Sequence, residues 1–584
     1  MNETKDISAI KISRAILSRS EKRSLGVILC LLLIGSALET FSLGLVIPII
    51  GVLGSGDFSR RFPDVYVFLG SPSRELLATY ALLFLVFIYV CKTAFLIWSS
   101  WVQKGFSTSV TARLGRLLYS NYLRKPYSFH VELNSSELIR NVQNSASLMS
   151  GLIEPILGAL ADALVAFGLL TLMFIVEPIG TISTLFIFGS CGFVFNRFSR
   201  DKIKKWGESQ NFHKGMVLKH LQQGFGGVKD VVVLDKQDYF VEEFSKHLDA
   251  NARVQKHFSI AQSIPRYGLE ILALVGLTAL VASMSLAGKD ITEIVPVLGL
   301  FGATAFRLIP AVNRGISNLQ LYNLSLPALN GIFPDLTTTI QKENNRETYE
   351  LLDEISVSNV SFTYPRAENT TLEDISLFVK KGEAVGLIGT SGSGKSTFVD
   401  LLLGLFKPSN GEVKIDGKSI YNDLVSWRKI VGYVPQNIYL CDDTLEKNIA
   451  YGIDDSLISQ ESLRRSLSQS QLETFVDSLK DGLGTFVGER GVRLSGGQIQ
   501  RIGIARALYH DPDILVLDEA TSALDQETER GVMDAVKALK GSKTVIVVAH
   551  RLSTVEYCDR LYKFENGKII DFGKSDEVLN RINR

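Results

Sequence analysis

Apolar residues in the first part of the chain gather into six long runs: Leu25–Ile50, Leu76–Trp101, Leu152–Val176, Pro178–Asn196, Leu269–Gly288 and Ile291–Val312. A hydrocarbon core about 30 Å thick needs roughly 20 helical residues, and these runs meet or approach that length. Pro178–Asn196 holds no charged residue at all. Buried helices of a soluble core would show a polar face at helical spacing, so the pattern predicts six membrane spans. Two polar connections keep a helical rhythm of their own. Ala112–Tyr122 and Val241–Phe258 repeat apolar residues at helical spacing, so the spans are expected to continue beyond the lipid and turn at Pro126–Val142 and Gly224–Asp235. The connection Gly51–Glu75 is longer than a turn needs. Its portion Phe62–Gly70 fits either a short interfacial helix with aromatic anchors or an ordinary capped loop. After the polar run Thr337–Arg346 the pattern switches to short β-rich segments alternating with helices, as in an α/β domain.

Composition agrees with two unlike parts. Hydrophobic residues make up 46% of the 584 and charged residues still 21%, with a mean hydropathy of +0.17. A uniform membrane protein carries fewer charges and a soluble one is less hydropathic. The net charge of +1 supplies no global basic field, so no nucleic-acid partner is expected. Local charge gives orientation instead. Met1–Ser24, Val102–Gly151 and Ser199–Ile264 carry six, six and eleven Lys/Arg, against three, none and one in the alternate connections. Basic connections stay in the cytoplasm, which predicts a multi-pass chain with both termini inside. The polar, basic start Met1–Arg23 lacks a small-residue cleavage site, so no removable signal peptide is expected. The five cysteines are scattered and form neither metal-ligand spacing nor a disulfide framework.

The α/β part carries the chemistry. Gly389-Thr390-Ser391-Gly392-Ser393-Gly394-Lys395-Ser396 fits G-x4-G-K-[ST], between the strand-like run Ala384–Ile388 and the helical run Thr397–Leu405. Glycines in that setting let backbone N–H groups cradle phosphates at a helix N-terminus. Lys395 is then expected to neutralise terminal phosphate oxygens and Ser396 to hold Mg²⁺. Ile514–Glu519 reads as a buried-strand run ending in two carboxylates, Asp518 for the metal and Glu519 to polarise the attacking water. Thr544–Ala549 is a second such strand, which delivers His550 to its C-terminal end. The other six histidines read as loop or helix-surface residues.

Leu494-Ser495-Gly496-Gly497-Gln498, between the two phosphate motifs, resembles the signature motif of ABC ATPases. The remaining motifs of that family match as well. Tyr364 resembles the aromatic that stacks on adenine, and Gln436 the glutamine that touches Mg²⁺ or water. Glu489 resembles the X-loop of exporters and Ser522–Asp525 the D-loop, the resemblance running from Leu351 to Arg584. It implies ATP and Mg²⁺ as cofactors, with Gly389 to Thr397, Tyr364, Ser495 to Gln498 and Asp525 around the nucleotide. Glu519, His550 and Gln436 are the implied catalytic residues, and Ser396, Gln436 and Asp518 the implied metal ligands. The order of six spans before one ATPase is similar to ABC exporters, and Phe129-His130 with Ser136-Glu137-Leu138 resembles their first coupling helix. That implies a membrane α-helical bundle, six helices per chain in a domain-swapped homodimer, fused to a cytoplasmic α/β P-loop ATPase domain. Residues 1–336 would form the transmembrane domain, 337–350 the linker and 351–584 the ATPase domain. In such a dimer each signature motif completes the partner's site, so a second copy is the expected partner.

Charges inside the spans bear on what is moved, because each is expensive in lipid. They are Glu39, Lys92, Glu154, Asp162, Glu270, Glu293 and Arg307, with Arg266 at the cytoplasmic start of the fifth span. At 1.5 Å per residue Lys92 lies roughly 24 Å below Leu76, in the inner-leaflet half with Arg307 and Arg266. Three cations there suit an anionic headgroup; alternatively Lys92 snorkels and Arg307 pairs with Glu270 or another carboxylate. Glu39 reads as a gate, a proton site or a structural partner of a neighbouring helix. The whole resembles the bacterial flippases of lipid-linked oligosaccharides. That implies movement of an anionic polyprenyl-diphosphate glycan from the cytoplasmic to the periplasmic leaflet of the inner membrane, in contact with membrane lipid. The alternatives are an exporter of other lipids or hydrophobic drugs and, of another class, an ATP-gated channel or sensor.

Overall fold

The computed structural model describes residues 16–45, 74–176, 178–286, 288, 291–338, 348–365, 367–488, 491–520 and 526–582. The chain divides into two compact units, Met1–Lys125 with Leu133–Ile340, and Pro126–Glu132 with Gln341–Arg584. In chain order the first helices are α1 (Arg19–Gly44), α2 (Arg74–Leu123), α3 (Tyr127–Glu132), α4 (Ser135–Leu148), α5 (Glu154–Val176), α6 (Pro178–Gly226), α7 (Val228–Val233), α8 (Gln237–Leu286) and α9 (Ile291–Thr337). All but α3 belong to the first unit.

Among the described residues, four stretches are helical and apolar for long enough to cross a membrane: Arg19–Ser42, Glu75–Leu123, Met149–Ile175 and Gln237–Leu286. The other two expected spans form the first halves of the continuous helices α6 and α9. The expected interfacial segment Phe62–Gly70 lies outside the described residues. α2 shows how one helix serves two surroundings. In its first half Val86, Val90 and Ile97 point outward, each at least 60% exposed, as lipid-facing residues do. In its second half Val110, Leu114, Leu118 and Tyr122 are buried four residues apart, a single stripe packed on neighbouring helices. Asn134 starts α4 by accepting the Ser136 N–H on its side chain, one of the donors that a helix N-terminus leaves unpaired.

Pro265 stands inside α8 and has no N–H to offer the Ala261 carbonyl one turn back. The buried Gln320 on α9 supplies the missing donor, its Nε2 lying 3.2 Å from that oxygen. Further along the same long helices, His213 and His220 on α6 meet His247 on α8. The His213 and His247 Nδ1 atoms are 2.8 Å apart, and the His220 and His247 rings stack at 5.4 Å. The sequence reading of surface histidines does not hold for these; i,i+7 spacing on α6 puts two imidazoles on the face that meets α8.

The second unit contains two sheets. β1 (Glu354–Phe362), β2 (Leu372–Lys380), β4 (Asn410–Ile415) and β5 (Lys418–Ser419) make an antiparallel sheet in the order β2-β1-β4-β5. The other, in the order β10-β9-β3-β8-β7-β6, uses β3 (Ala384–Gly389), β6 (Val431–Val434), β7 (Ile514–Asp518), β8 (Thr544–Ala549), β9 (Arg560–Glu565) and β10 (Lys568–Lys574). β7 and β8 are buried at every position, as parallel strands covered on both faces are. The helices used below are α10 (Lys395–Leu402), which leaves the β3 loop, and α11 (Gly496–Leu508), which starts at the signature motif.

Candidate functional site

Sheet order assembles the site. β3 pairs in parallel with β8, and β8 with β7, so Ile388 lies beside Ala549 and Asp518 beside Val548. The strand ends that carry the glycine loop, the two carboxylates and His550 therefore emerge side by side, where open α/β sheets place ligand groups. β6 pairs with β7 up to Val434, which delivers Gln436 to the same edge.

The loop Gly389–Gly394 needs glycine at its bends. Gly394 is the N-cap of α10 at φ +102, and a Cβ there would meet the Leu372 side chain at 2.6 Å. Lys395 is almost fully buried, and its Nζ donates to the Gly389 and Thr390 carbonyls, each at 2.9 Å. Burial holds its ammonium below the ordinary lysine range, opposed by Glu519 and Asp518. A buried cation facing loop amides at a helix N-terminus fits a bound polyphosphate.

Asp518 lies 3.5 Å from the Ser396 hydroxyl. Its carboxyl is pushed up, first by burial and then by the adjacent Glu519 charge. Two neighbouring carboxylates with one hydroxyl and the Gln436 amide are hard oxygen donors, and a divalent cation would relieve their repulsion, so the donor set fits Mg²⁺. Glu519 has φ +50, a backbone conformation unusual for a residue with a side chain. Its two oxygens are clamped, Oε2 by Gln436 Nε2 at 2.6 Å and Oε1 against His550 Nε2 at 2.5 Å. The three sequence-predicted catalytic residues thus meet around one carboxylate. Tyr364 packs edge-on against Phe362 and Phe406, and its hydroxyl is 3.0 Å from the Thr397 hydroxyl on α10.

Ser495 and Gln498 form a capping box at the start of α11: the Ser495 hydroxyl accepts from the Gln498 N–H and Gln498 Oε1 accepts from the Ser495 N–H. Both Ser495 and Gly496 face solvent, and Gly496, without a side chain, leaves its amide open to an anion. Glu489 and Ser522–Asp525 lie outside the described residues.

In the first unit the structure brings Lys92, Glu39 and Arg307 together. Arg307 pairs with Glu39 at 3.2 Å, while Lys92 is buried, donates to Ser42 at 3.4 Å and is in electrostatic reach of both. Arg266 instead pairs with Glu270 one turn along α8. Sequence reading missed Arg314, which grips the buried Asp162 at 2.7 Å within reach of Glu39. Arg314 lies two residues past the expected end of the sixth span, and only its spacing of seven from Arg307 hinted that it shares a face. Glu154 is held by Lys104 and Ser107. A cavity of about 410 Å³ between α5, α6 and α9 is lined by small and apolar residues, among them Ala163, Gly189, Gly192 and Leu308, with Asp162 as its charged group.

Comparison with known proteins extends these observations. The chain matches the ABC transporter family model over residues 372–522 and the ABC transporter transmembrane region over 25–291. It is 32% identical to the ATP-dependent lipid A-core flippase of Shewanella frigidimarina over 82% of this chain and 80% of that protein. The lipid A-core flippase of Vibrio vulnificus is 29% identical over 96% and 94%, and that of Ralstonia nicotianae 31% over 81% of each. Among solved structures, a bacterial Atm1-family ABC exporter with ATP bound superposes with a TM-score of 0.79 at 22% identity, covering 96% of both chains. At that identity the likeness is one of fold.

Proposed function

The chain belongs to the ABC transporter family, as an ATP-hydrolysing exporter half-transporter, and from that premise we propose that two copies flip a phosphate-bearing glycolipid from the cytoplasmic to the periplasmic leaflet of a bacterial inner membrane. Residues 1–336 act as the membrane domain and 351–584 as the cytoplasmic ATPase, joined by 337–350. The observation that carries the reading is the intramembrane charge cluster. Among the described residues Lys92, Arg307 and Arg314 share two carboxylates, Glu39 and Asp162, which leaves a positive balance around a buried ammonium. Uncompensated charge inside the membrane is retained where it meets an opposite charge, and a headgroup phosphate is such a partner. The small-residue cavity beside Asp162 gives room for apolar chain.

In the ATPase the residues divide the work. The Gly389–Gly394 loop and Lys395 hold the phosphates, Tyr364 stacks on the base, and Ser396, Asp518 and Gln436 would hold Mg²⁺, which would supply charge neutralisation at the phosphates. Glu519, fixed by Gln436 and His550, orients and polarises the attacking water; Ser495 to Gln498 and Asp525 of the second copy close the site. Hydrolysis then resets the dimer and gives the movement direction.

Within that class the sequence resemblance favours a polyprenyl-diphosphate oligosaccharide, and the names of the relatives favour lipid A-core. Purified protein in liposomes, given a fluorescent version of each lipid, separates them by ATP-dependent loss of signal from the leaflet on the ATPase side, with Glu519→Gln as control. Lys92→Ala with Arg307→Ala should stop movement while sparing basal hydrolysis. Movement of neither lipid, with normal hydrolysis, overturns the flippase reading.

A further inference from the structure

We propose that Glu529 and Arg551 are positioning residues for His550: the ion pair between them fixes where the end of β8 delivers the imidazole that clamps Glu519. The inference rests on the reading of Glu519 and His550 as catalytic. On its upstream side His550 is anchored by the sheet, since the last residue of β8, Ala549, lies beside Ile388 of β3. On its downstream side the strand has ended, and other contacts must hold the backbone. Arg551 is the N-cap of the short turn Leu552–Thr554, and its carbonyl accepts from the Thr554 N–H at 3.2 Å and from the Thr554 hydroxyl at 2.5 Å. Thr554 and Val555 are buried, so the turn is rooted in the core. The Arg551 side chain supplies the remaining tie: its Nη1 donates to Glu529 Oε2 at 2.5 Å.

Glu529 occupies an unusual place for a carboxylate. It lies on α12 (Gln526–Ala538), whose Val532, Met533 and Val536 are buried in one cluster with Leu515 and Leu517 of β7 and Val547 of β8. Positions 529, 532, 533 and 536 fall on one helical face, so the carboxylate belongs to the stripe that faces the sheet, and its side chain is only 9% exposed. Among the described residues Arg551 is its one partner, because Oε1 is buried with none. The Arg551 side chain, by contrast, is half-exposed. A pair of this kind adds little stability. Taking the carboxylate out of water is costly, and an apolar side chain of similar volume would stabilise the fold as well or better. What the pair does supply is a fixed distance and direction. α12 is packed on the sheet, so Glu529 Oε2 is a fixed point, and the residue next to His550 is held to it. His550 Nε2 meets Glu519 Oε1 at 2.5 Å. A displacement of about 1 Å there would free one of the two oxygens whose contacts orient Glu519.

A positioning role separates from a structural one because turnover and stability respond differently. The experiment measures ATP hydrolysis by the full-length protein in lipid nanodiscs, at steady state and in single turnovers that resolve very slow rates. The variants are Glu529→Met, Glu529→Gln, Glu529→Met with Arg551→Met, His550→Ala, and Glu529→Met with His550→Ala. Methionine replaces the buried carboxylate by an apolar chain of similar volume, so the thermal midpoint should fall by no more than about 3 °C. The same change should lower kcat about tenfold while the KM for ATP moves less than about twofold. Glu529→Gln keeps an oxygen for Arg551 and should stay within about threefold of the wild type. Adding Arg551→Met to Glu529→Met should slow hydrolysis no further, because the pair is already lost. In the His550→Ala background Glu529→Met should have no effect. If His550→Ala leaves hydrolysis unchanged, the catalytic reading of His550 fails and the proposal with it. If His550→Ala is slow but Glu529→Met has no effect in the wild type, or the same effect with and without His550, the positioning role alone is wrong. A midpoint and kcat that fall together, with Gln no better than Met, would make the pair structural and overturn the proposal.

Discussion

Replacing Asp400 by Asn should stabilise the ATPase part of the protein, and by an amount that depends on pH. Asp400 stands on α10 one turn after Ser396, and burial first, then the Asp518 charge, pushes its carboxyl from 3.8 to about 6. A shift of roughly two units corresponds to about 3 kcal/mol at 1.36 kcal/mol per unit. The carboxyl is only partly enclosed, and solvent screening reduces that to about 1–2 kcal/mol. The sign follows from linkage. A folded pKa raised above the unfolded one means that the folded protein binds the proton more tightly, so the contribution of Asp400 to stability is fully present below about pH 3.8 and is lost as pH rises through about 6. Asn copies the protonated group at every pH. The advantage of Asp400→Asn should therefore be about half developed at pH 5 and complete above pH 7. Hydrogen exchange over α10 and β6, corrected for the intrinsic pH dependence and measured without Mg²⁺, should show roughly 5–30-fold greater protection in the variant at pH 8. Added Mg²⁺ should shrink the gap by compensating Asp518. A wild type more stable than the variant at pH 8, or a gap that does not change with pH, would refute the reasoning.

Three further outcomes are expected. Glu519→Gln should keep ATP affinity and lower turnover by about 10²–10⁴, the range for a general base; rapid hydrolysis in that variant would remove Glu519 from the role. Gln320→Leu leaves the Ala261 carbonyl without a donor and should cost about 1–3 kcal/mol of thermal stability in detergent. Pro265→Ala restores a backbone N–H, so the same Gln320→Leu change made in that background should cost far less, and equal losses in both backgrounds would contradict the account. His213 and His220 are held below the ordinary imidazole range, mainly by burial and then by the His247 charge. The unfolded chain is thus protonated first, and packing of α6 on α8 should weaken as pH falls below about 6.5. Limited proteolysis near His247 between pH 7.5 and 5.5 measures this, and His247→Gln should flatten the response.

Much of the fold was legible because two rhythms differ so sharply. Long apolar runs read as spans, and Ala384–Ile388, Ile514–Asp518 and Thr544–Ala549 read as covered strands because they alternate with nothing polar. Gln436, Glu519 and His550 were each nameable from a motif, yet their meeting on one carboxylate depends on β6, β7 and β8 being neighbours, which spacing along the chain does not encode. The intramembrane charges were countable, but not their partners. Depth alone grouped Arg266 with Lys92 and Arg307, whereas an i,i+4 carboxylate, Glu270, takes Arg266. Arg314 was passed over because apolar-run length ended the span before it. Phe406 belongs to no motif, and only the return of the chain from α10 puts it against Tyr364.

Helices α2 and α8, each 50 residues long, have a mechanical consequence. At 1.5 Å per residue each is a rod about 75 Å long. A tilt of about 5° about one end sweeps the other through roughly 6 Å, enough to open or shut a passage for a headgroup. Gain of that kind works only if the rod does not bend, so stiffness along the solvent-exposed stretches becomes a functional property. Glycine placed at an exposed position such as Arg253 would act as slack in a linkage: ATP would still be consumed, and the far end would not follow.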